Sequence, residues 1–241
     1  MRKVFIADAH LRNRGDENYR KLLDFLAGLQ GNTDTLFILG DLFEFWIGYR
    51  QVPFTQYLPV LEQLRQLVES GTELVYFEGN HDFHMGPYFK ETLKARVYRG
   101  PATLSLDGRN VYLCHGDQIN RKDVGYLLLR FLLHNALTGA MVPVVPVKLV
   151  TAIADRMGRM SRHGHQQRRL KWDYVAILRE FSTARFSEGY DAVITGHFHS
   201  PLLEKSPNGG GTLLSLGDWI THFSYGEWRD GEFSLKTFRE T

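Results

Sequence analysis

The stretch ELVYFEGNHDF, residues 73–83, decides the fold, because in it an apolar run ends in a glycine and a row of polar side chains. The run ELVYF is typical of a buried strand. Asn80, His81 and Asp82 are costly to place at the end of such a strand unless a turn or a ligand satisfies them. Gly and Asn both favour turns, so this stretch alone is compatible with a tight turn or with a binding site.

Four other apolar runs end in the same kind of polar cluster: Asp8-Ala9-His10, Gly40-Asp41, His115-Gly116-Asp117 and Gly196-His197-Phe198-His199. The β-α-β-α-β order of the first half predicts parallel strands, and sites collect beyond the carboxyl ends of such strands. Apolar runs later in the chain predict hairpins, one of them turning at Asp107-Gly108. We therefore expect a layered α/β sandwich in which the five clusters share one site.

Composition limits the class of protein. The chain has 241 residues, 43% hydrophobic and 23% charged, which predicts a globular fold with a sizeable core. The formal net charge of +2 is too small to indicate a nucleic-acid partner by itself. Cys114 is the single cysteine, so an intramolecular disulfide is excluded. The first residues meet charge at once, unlike a signal peptide, and we expect a cytoplasmic setting.

The strand pattern stops between residues 123 and 186, where the sequence predicts helices. The first part of this segment is strongly apolar, but Arg130, Pro143, Pro146 and Lys148 interrupt it, so it is too short to span a membrane. The second part, residues 156–171, is basic. We predict a core of residues 1–122 and 187–241 with an inserted helical cap at residues 123–186.

The mixture of carboxylate, amide and imidazole groups favours a two-metal site. Two divalent ions about 3.5–4 Å apart can clamp a phosphoryl group and activate water for in-line attack. Asp41 is the candidate for a bridging carboxylate because it stands alone after its glycine. In an extended chain, residues i and i+2 share a face, so Asp8 and His10, and likewise His197 and His199, are expected to point the same way.

In this order the motifs D-x-H, G-D, G-N-H-D, H-G-D and G-H-x-H resemble the calcineurin-like metallophosphoesterase family, over roughly residues 1–120 and 190–241. The resemblance implies a four-layer α/β/β/α sandwich and two divalent metal ions, with manganese as the implied element. It places one ion on Asp8, His10, Asp41 and His199, and the other on Asp41, Asn80, His115 and His197. It also implies that His81 contacts the phosphoryl group or protonates the leaving group, and that Asp82 orients His81.

Within the family, the chain most resembles the bacterial hydrolases of UDP-2,3-diacylglucosamine in lipid A synthesis. GDLFEFWIG, residues 40–48, and HGDQINRKDVGYLLLRFLLHN, residues 115–135, carry this similarity. It implies cleavage of the pyrophosphate to UMP and 2,3-diacylglucosamine 1-phosphate. It also implies substrate contacts from Asp123, Tyr126, Arg130, Ser161 and Arg168. Those hydrolases typically have Arg where this chain has His81, and an imidazole donates a proton but lacks the two-pronged grip of a guanidinium.

The resemblance implies an amphiphilic nucleotide-sugar lipid as substrate and a peripheral place on the cytoplasmic face of the inner membrane. The apolar cap would hold acyl chains, and its basic part would touch phosphates or an anionic membrane surface. Core packing and a solvated charged face are the simpler interpretations of the same two features. We expect no nucleic acid and no obligate protein partner.

Three other functions stay open. His81 favours a phosphoesterase that acts on a different phosphomonoester or diester, such as a nucleotide or a phosphoprotein. A metal-free interaction scaffold on the same fold is disfavoured because all seven ligand positions are filled. A nuclease would bind with a steep salt dependence.

Overall fold

The computed structural model describes residues 1–146, 149, 171–207 and 209–239. Its strands are β1 (Arg2–Ile6), β2 (Thr35–Ile38), β3 (Trp46–Ile47), β4 (Glu73–Phe77), β5 (Asp82–Phe83), β6 (Arg96–Tyr98), β7 (Ala102–Leu106), β8 (Arg109–Cys114), β9 (Ala192–Thr195), β10 (Leu202–Lys205), β11 (Thr212–Ser215), β12 (Ser224–Arg229) and β13 (Glu232–Thr237). Its α-helices are α1 (Glu17–Leu29), α2 (Leu58–Glu69), α3 (Val124–His134), α4 (Ala136–Met141) and α5 (Tyr174–Ser187). Shorter helical turns are Thr55–Tyr57, Tyr88–Thr92 and Val142–Val144.

Two mixed sheets form the centre of the molecule. The first has the order β13-β12-β1-β2-β4-β6, and its strands β1, β2, β4 and β6 are parallel. The second has the order β10-β11-β9-β8-β7, in which β11, β9 and β8 are parallel. The predicted hairpin forms β7 and β8, which pair antiparallel around Asp107-Gly108. The carboxyl ends of the parallel strands therefore line up along an edge in each sheet.

The alternation of side chains along β1 shows how the layers pack. Val4 and Ile6 lie in a buried cluster with residues of α1 and α2, whereas Phe5 faces the second sheet. On the far side of that sheet, Leu178 of α5 packs on Val193. Because each sheet buries both faces, the apolar runs show little polar alternation in the sequence. The layers run helix, sheet, sheet, helix, which confirms the expected α/β/β/α sandwich.

The described part of the predicted cap is helical, but its elements differ in how they pack. Helix α5 lies against the second sheet through Leu178. Helix α3 buries no residue and leaves Leu128 59% and Phe131 68% exposed. The boundaries predicted for the cap stay a prediction, and most of its basic part lies outside the described residues. Among those described, no helix has the length and apolar character needed to cross a membrane.

Candidate metal centre

Asp8, His10 and His199 form the first of two groups at the sheet edge. Asp8 Oδ1 lies 3.9 Å from His10 Nε2 and 3.5 Å from His199 Nε2. A hydrogen bond links the ends of the two sheets here: the backbone N–H of His197 donates to Asp8 Oδ2 at 2.7 Å. The polar cluster after a strand of the first sheet thus lies beside the polar cluster after a strand of the second sheet.

Asp41, His115 and His197 form the second group, in which one potential ligand atom from each residue lies within 4.8 Å of the others. Asn80 joins it, since its Oδ1 lies 3.1 Å from His115 Nε2. Asp41 Oδ2 is 3.5 Å from His115 Nε2 and 3.7 Å from His10 Nε2. One oxygen of Asp41 therefore faces both groups, as a bridging carboxylate requires. The assignment of ligands stays a prediction.

The backbone brings these side chains together in a way that the sequence argument missed. Asp8, His10, His197 and His199 have φ values of 54°, 45°, 68° and 49°, and Asp41 has 54°. These are left-handed conformations, not the extended chain expected for a D-x-H motif. Each costs about 1–3 kcal/mol outside glycine, and such strain is typical of functional sites.

A divalent ion fits the chemistry of this cluster. Asp8 Oδ1 and His10 Nε2 are buried and have no hydrogen-bond partner among the described residues, although they face each other. Burial and the charge of His81 hold the pKa of His10 well below its usual range, so its imidazole is neutral, the form that binds metals. Oxygen and imidazole ligands together suit borderline divalent metals.

The charges at the centre also favour binding of a cation. Burial raises the pKa of Asp8 to about 6, against the opposing charges of His199 and His115. Burial acts to lower the pKa of His115, but Asp41 and Asp8 raise it to about 10. The buried carboxylates of Asp8 and Asp41 thus draw a positive charge onto His115, and a bound divalent cation would supply that charge in its place.

His81 lies beside the first group, with its ring centroid 4.7 Å from that of His10. His81 Nδ1 lies 2.8 Å from the carbonyl oxygen of Glu44. Because a carbonyl only accepts, Nδ1 carries a proton and Nε2 is the nitrogen that exchanges one. The Glu44 carboxylate is 3.8 Å from His10 Nδ1, and one ligand atom from each of His10, Glu44 and His81 lies within 4.8 Å of the others.

Asp82, which follows His81 in the sequence, has a buried carboxylate with several hydrogen-bond donors around it. Its carboxylate accepts hydrogen bonds from the Asp41, Leu42 and Gly79 N–H groups and from the Tyr76 hydroxyl, at 2.5–3.0 Å. The His81 ring has a contact with the Glu44 carbonyl oxygen. Asp82 therefore stabilises the loop that carries Asp41, and its role in orienting His81 stays a prediction.

Asp218 and Glu44 are the site residues that sequence reasoning missed. Asp218 Oδ2 lies 3.5 Å from His199 Nδ1, which directs His199 Nε2 towards Asp8. Although burial opposes it, hydrogen bonds from His199 and from the Thr221 N–H hold the pKa of Asp218 well below its usual range. Asp218 follows β11 in a Gly-Asp pair, the same signal that identified Asp41.

The predicted substrate-binding residues divide into three sets. Asp123 and Tyr126 line a small cavity beside His197, and Asp123 also caps α3. The Tyr126 hydroxyl donates to Asp117 at 3.0 Å, and Arg130 Nε also donates to Asp117. Arg130 thus fastens α3 to the His115-Gly116-Asp117 segment. Ser161 and Arg168 lie outside the described residues.

A buried cluster of carboxylates, imidazoles and an amide at a sheet edge defines a metal-dependent hydrolase of phosphoric esters and pyrophosphates. The family model for calcineurin-like phosphoesterases matches residues 1–201. The chain belongs to this family. A structure reported for an archaeal phosphodiesterase shares the fold, with a TM-score of 0.51 at 14% identity over 99% of this chain and 100% of that one.

Two relatives of this chain are named for the same activity. The UDP-2,3-diacylglucosamine hydrolase of Pseudomonas putida (strain W619) is 31% identical over 221 residues, which cover 90% of each chain. The UDP-2,3-diacylglucosamine hydrolase of Pseudomonas savastanoi pv. phaseolicola (strain 1448A / Race 6) is 30% identical over 240 residues, which cover 98% of this chain and 95% of the relative. The similarity therefore includes the cap segment as well as the core.

Proposed function

We propose that the chain hydrolyses the pyrophosphate of UDP-2,3-diacylglucosamine to UMP and 2,3-diacylglucosamine 1-phosphate. The observation that carries this proposal is an apolar helix beside the metal centre. Tyr126 of α3 has its ring centroid 5.8 Å from that of His197, while Leu128 and Phe131 of the same helix are exposed. A lipid substrate needs apolar surface within reach of the reacting phosphate.

The centre is proposed to hold two metal ions, with manganese as the physiological element. Asp8, His10, Asp41 and His199 would hold one, and Asp41, Asn80, His115 and His197 the other. Bound divalent ions supply Lewis-acid stabilisation of phosphoryl oxygens and lower the pKa of water. The carboxylate of Asp41 faces both sets of proposed ligands and would offset the positive charge of both ions.

His81 is proposed to assist the charge that develops on the phosphate. The Glu44 carbonyl holds the Nδ1 proton, so a proton for the leaving group would come from Nε2 of the imidazolium form, which would leave the neutral Nδ1–H tautomer behind. His81 is only 7% exposed, so little water competes at that position. An arginine at this position would grip phosphate with two parallel hydrogen bonds but would donate no proton.

The test is release of UMP from UDP-2,3-diacylglucosamine by the purified full chain with added manganese. We expect removal of the metal by a chelator to abolish release, and His81→Ala to lower kcat by about a hundredfold or more. His81→Arg separates the two roles, because it restores a phosphate grip without an acid. Full activity of His81→Arg would contradict proton donation.

Cleavage of a simple diester, bis(p-nitrophenyl) phosphate, tests phosphoesterase activity independently of the proposed lipid substrate. Metal-dependent cleavage of this diester without UMP release would support the assignment as a phosphoesterase and contradict the assignment of the lipid substrate. The second candidate function, hydrolysis of a water-soluble phosphomonoester or diester, would then hold. His81 favours that candidate, because it stands where the lipid hydrolases typically have arginine.

We also propose that the cap contacts a membrane on its cytoplasmic face. The contact surface, here called the apolar surface, consists of exposed side chains of α3, α4 and the residues after them: Val124, Leu128, Leu129, Phe131, Leu132, Leu137, Met141, Val144 and Leu149. Exposed apolar side chains concentrated in one segment of a chain indicate an interaction site, and bilayers accept apolar helices at the headgroup boundary.

Sedimentation with phosphatidylglycerol-containing vesicles tests the membrane contact. Leu128→Ser should lower the vesicle partition coefficient by about tenfold, because a leucine side chain gains about 1.5–3 kcal/mol on full burial. Leu203→Ser is the matched control, since Leu203 is 38% exposed on β10 of the core and should leave partitioning unchanged. Equal effects of both substitutions would contradict a specific membrane surface.

A further inference from the structure

A cavity of about 190 Å³ adjoins the metal centre, and neither the metal ions nor the acyl chains of the proposed substrate would occupy it. It lies against the His115-Gly116-Asp117 segment, between the end of β8 and helix α5. Its walls combine aromatic rings, guanidinium groups, an amide and a buried carboxylate: Glu78, Tyr112, Gln118, Arg121, Phe181 and Arg185. Such a lining suits a planar, polar ligand.

Arg185 is the most informative part of this wall. Its guanidinium lies 5.3 Å from the Phe181 ring and 5.5 Å from the Tyr112 ring. Arg185 Nη2 pairs with Glu188 at 2.6 Å, but Arg185 Nε is buried and has no acceptor among the described residues. A buried N–H donor without an acceptor is unfavourable, so a ligand with a carbonyl oxygen would be stabilised here.

The volume limits the size of the ligand. A cavity of about 150 Å³ is known to hold one benzene ring. About 190 Å³ therefore admits one six-membered ring and leaves less room for the two fused rings of a purine base. Bases bind proteins by stacking on aromatic side chains and on guanidinium planes, both of which Tyr112, Phe181 and Arg185 offer.

The polar groups favour uracil among single-ring bases. Uracil presents an N–H between two carbonyl oxygens, whereas neutral cytosine presents an unprotonated nitrogen at that position. Glu78 is 3% exposed and offers an acceptor, and Arg121 and Arg185 offer donors. One acceptor and two donors match in kind the N–H group and the two carbonyl oxygens of uracil.

The cavity is also within reach of the reacting phosphate. The ring of His115 belongs to the metal centre, and the same residue lines the cavity. Asp117 lines both this cavity and the small one beside His197. Arg130 also lines this cavity, and its Nε donates to Asp117.

We propose that this cavity binds the uracil ring of the nucleotide half of the substrate, an inference that rests on the proposed function. The phosphates would then lie at the metal centre, and the acyl chains on the apolar surface. The cavity would act through binding alone, because none of its side chains on α5 touches the metal centre.

Titration calorimetry of the metal-loaded full chain with UMP tests this assignment. We expect Phe181→Ala and Arg185→Ala each to weaken UMP by about tenfold, the range found for loss of a stacking side chain. AMP and CMP should bind at least about tenfold more weakly than UMP. Arg179→Ala on the same helix is the control, since that guanidinium pairs with Glu204 at 2.6 and 2.9 Å and does not line the cavity.

Hydrolysis measurements then separate the cavity from the proposed function. The Arg185→Ala chain should show a raised KM for the UDP-lipid, an unchanged kcat and unchanged cleavage of bis(p-nitrophenyl) phosphate. UMP release with an unaltered KM would overturn the cavity assignment and leave the proposed function intact. Selective UMP binding without lipid hydrolysis would support the cavity and overturn the lipid substrate. Absence of UMP binding to the unmodified chain would overturn the cavity assignment.

Discussion

Asp41→Asn is expected to lower cleavage of bis(p-nitrophenyl) phosphate by about a thousandfold, a loss of about 4 kcal/mol in transition-state stabilisation. The reason is the position of its carboxylate, with Oδ2 3.7 Å from His10 Nε2 and 3.5 Å from His115 Nε2. Although burial opposes it, the charges of His115 and His81 hold the pKa of Asp41 well below its usual range. The carboxylate is therefore ionised near neutral pH, and asparagine removes a charge while keeping the shape.

The metal content of the protein, measured by inductively coupled plasma mass spectrometry, provides a readout that does not depend on activity. Asp41→Asn should hold less than the two ions per chain expected for the unmodified protein. Asp24→Asn is the matched control, because it makes the same change of charge on an exposed position of α1 and should alter neither quantity. Full metal content together with full activity in Asp41→Asn would rule out a bridging role for Asp41.

The parallel strands and the layered α/β sandwich were accessible from the sequence because each parallel strand near the site is a short apolar run that ends in Gly and polar residues. ELVYF became β4, and the polar residues after it lie at the carboxyl edge of the sheet. The same rule placed Asp8 and Asp41 at the carboxyl edge of the first sheet, and His115 and His197 at that of the second. Five runs with one kind of ending carry more information than any single motif, since each motif alone is common.

The local geometry of the site was not accessible in the same way. A D-x-H motif in an extended chain points both side chains to one face, but Asp8 and His10 have left-handed backbones. Hydrogen bonds between strand ends, such as His10 N–H to the Asp41 carbonyl at 2.9 Å, hold that conformation. Positive φ values at non-glycine residues depend on such long-range contacts, and no pattern in a single stretch reveals them.

Contacts distant in the chain also determine hydrogen-bond partners that no local pattern indicates. Glu44 orients His81 across 37 positions, and Asp82 binds the backbone of Asp41 across 41. Adjacent residues such as His81 and Asp82 suggest a pair, yet their side chains serve different partners. Burial and spacing predict which residues lie near a site, whereas the hydrogen-bond partner depends on how loops pack.

Gly79 is a position where an added methyl group is expected to disturb the metal centre strongly. A Cβ there would lie 2.5 Å from the Asp41 amide nitrogen and closer still to its Oδ1. Both atoms are already fixed, because the Asp41 N–H donates to Asp82 at 2.9 Å and Asp41 Oδ1 accepts from the His81 N–H at 2.8 Å. The loops of Asp41 and Asn80 can therefore separate only by moving two predicted metal ligands.

Gly79→Ala is expected to lower diester cleavage by at least about a hundredfold, the cost of a misplacement near 1 Å. The free energy of unfolding should fall by about 1–3 kcal/mol, as in other overpacked sites, and urea denaturation measures it. Gly28→Ala is the control, since a Cβ at that exposed position of α1 meets nothing within 4 Å and should raise stability by about 0.5 kcal/mol. If Gly79→Ala kept full activity, the two loops would have to be mobile enough to part without disturbing the centre.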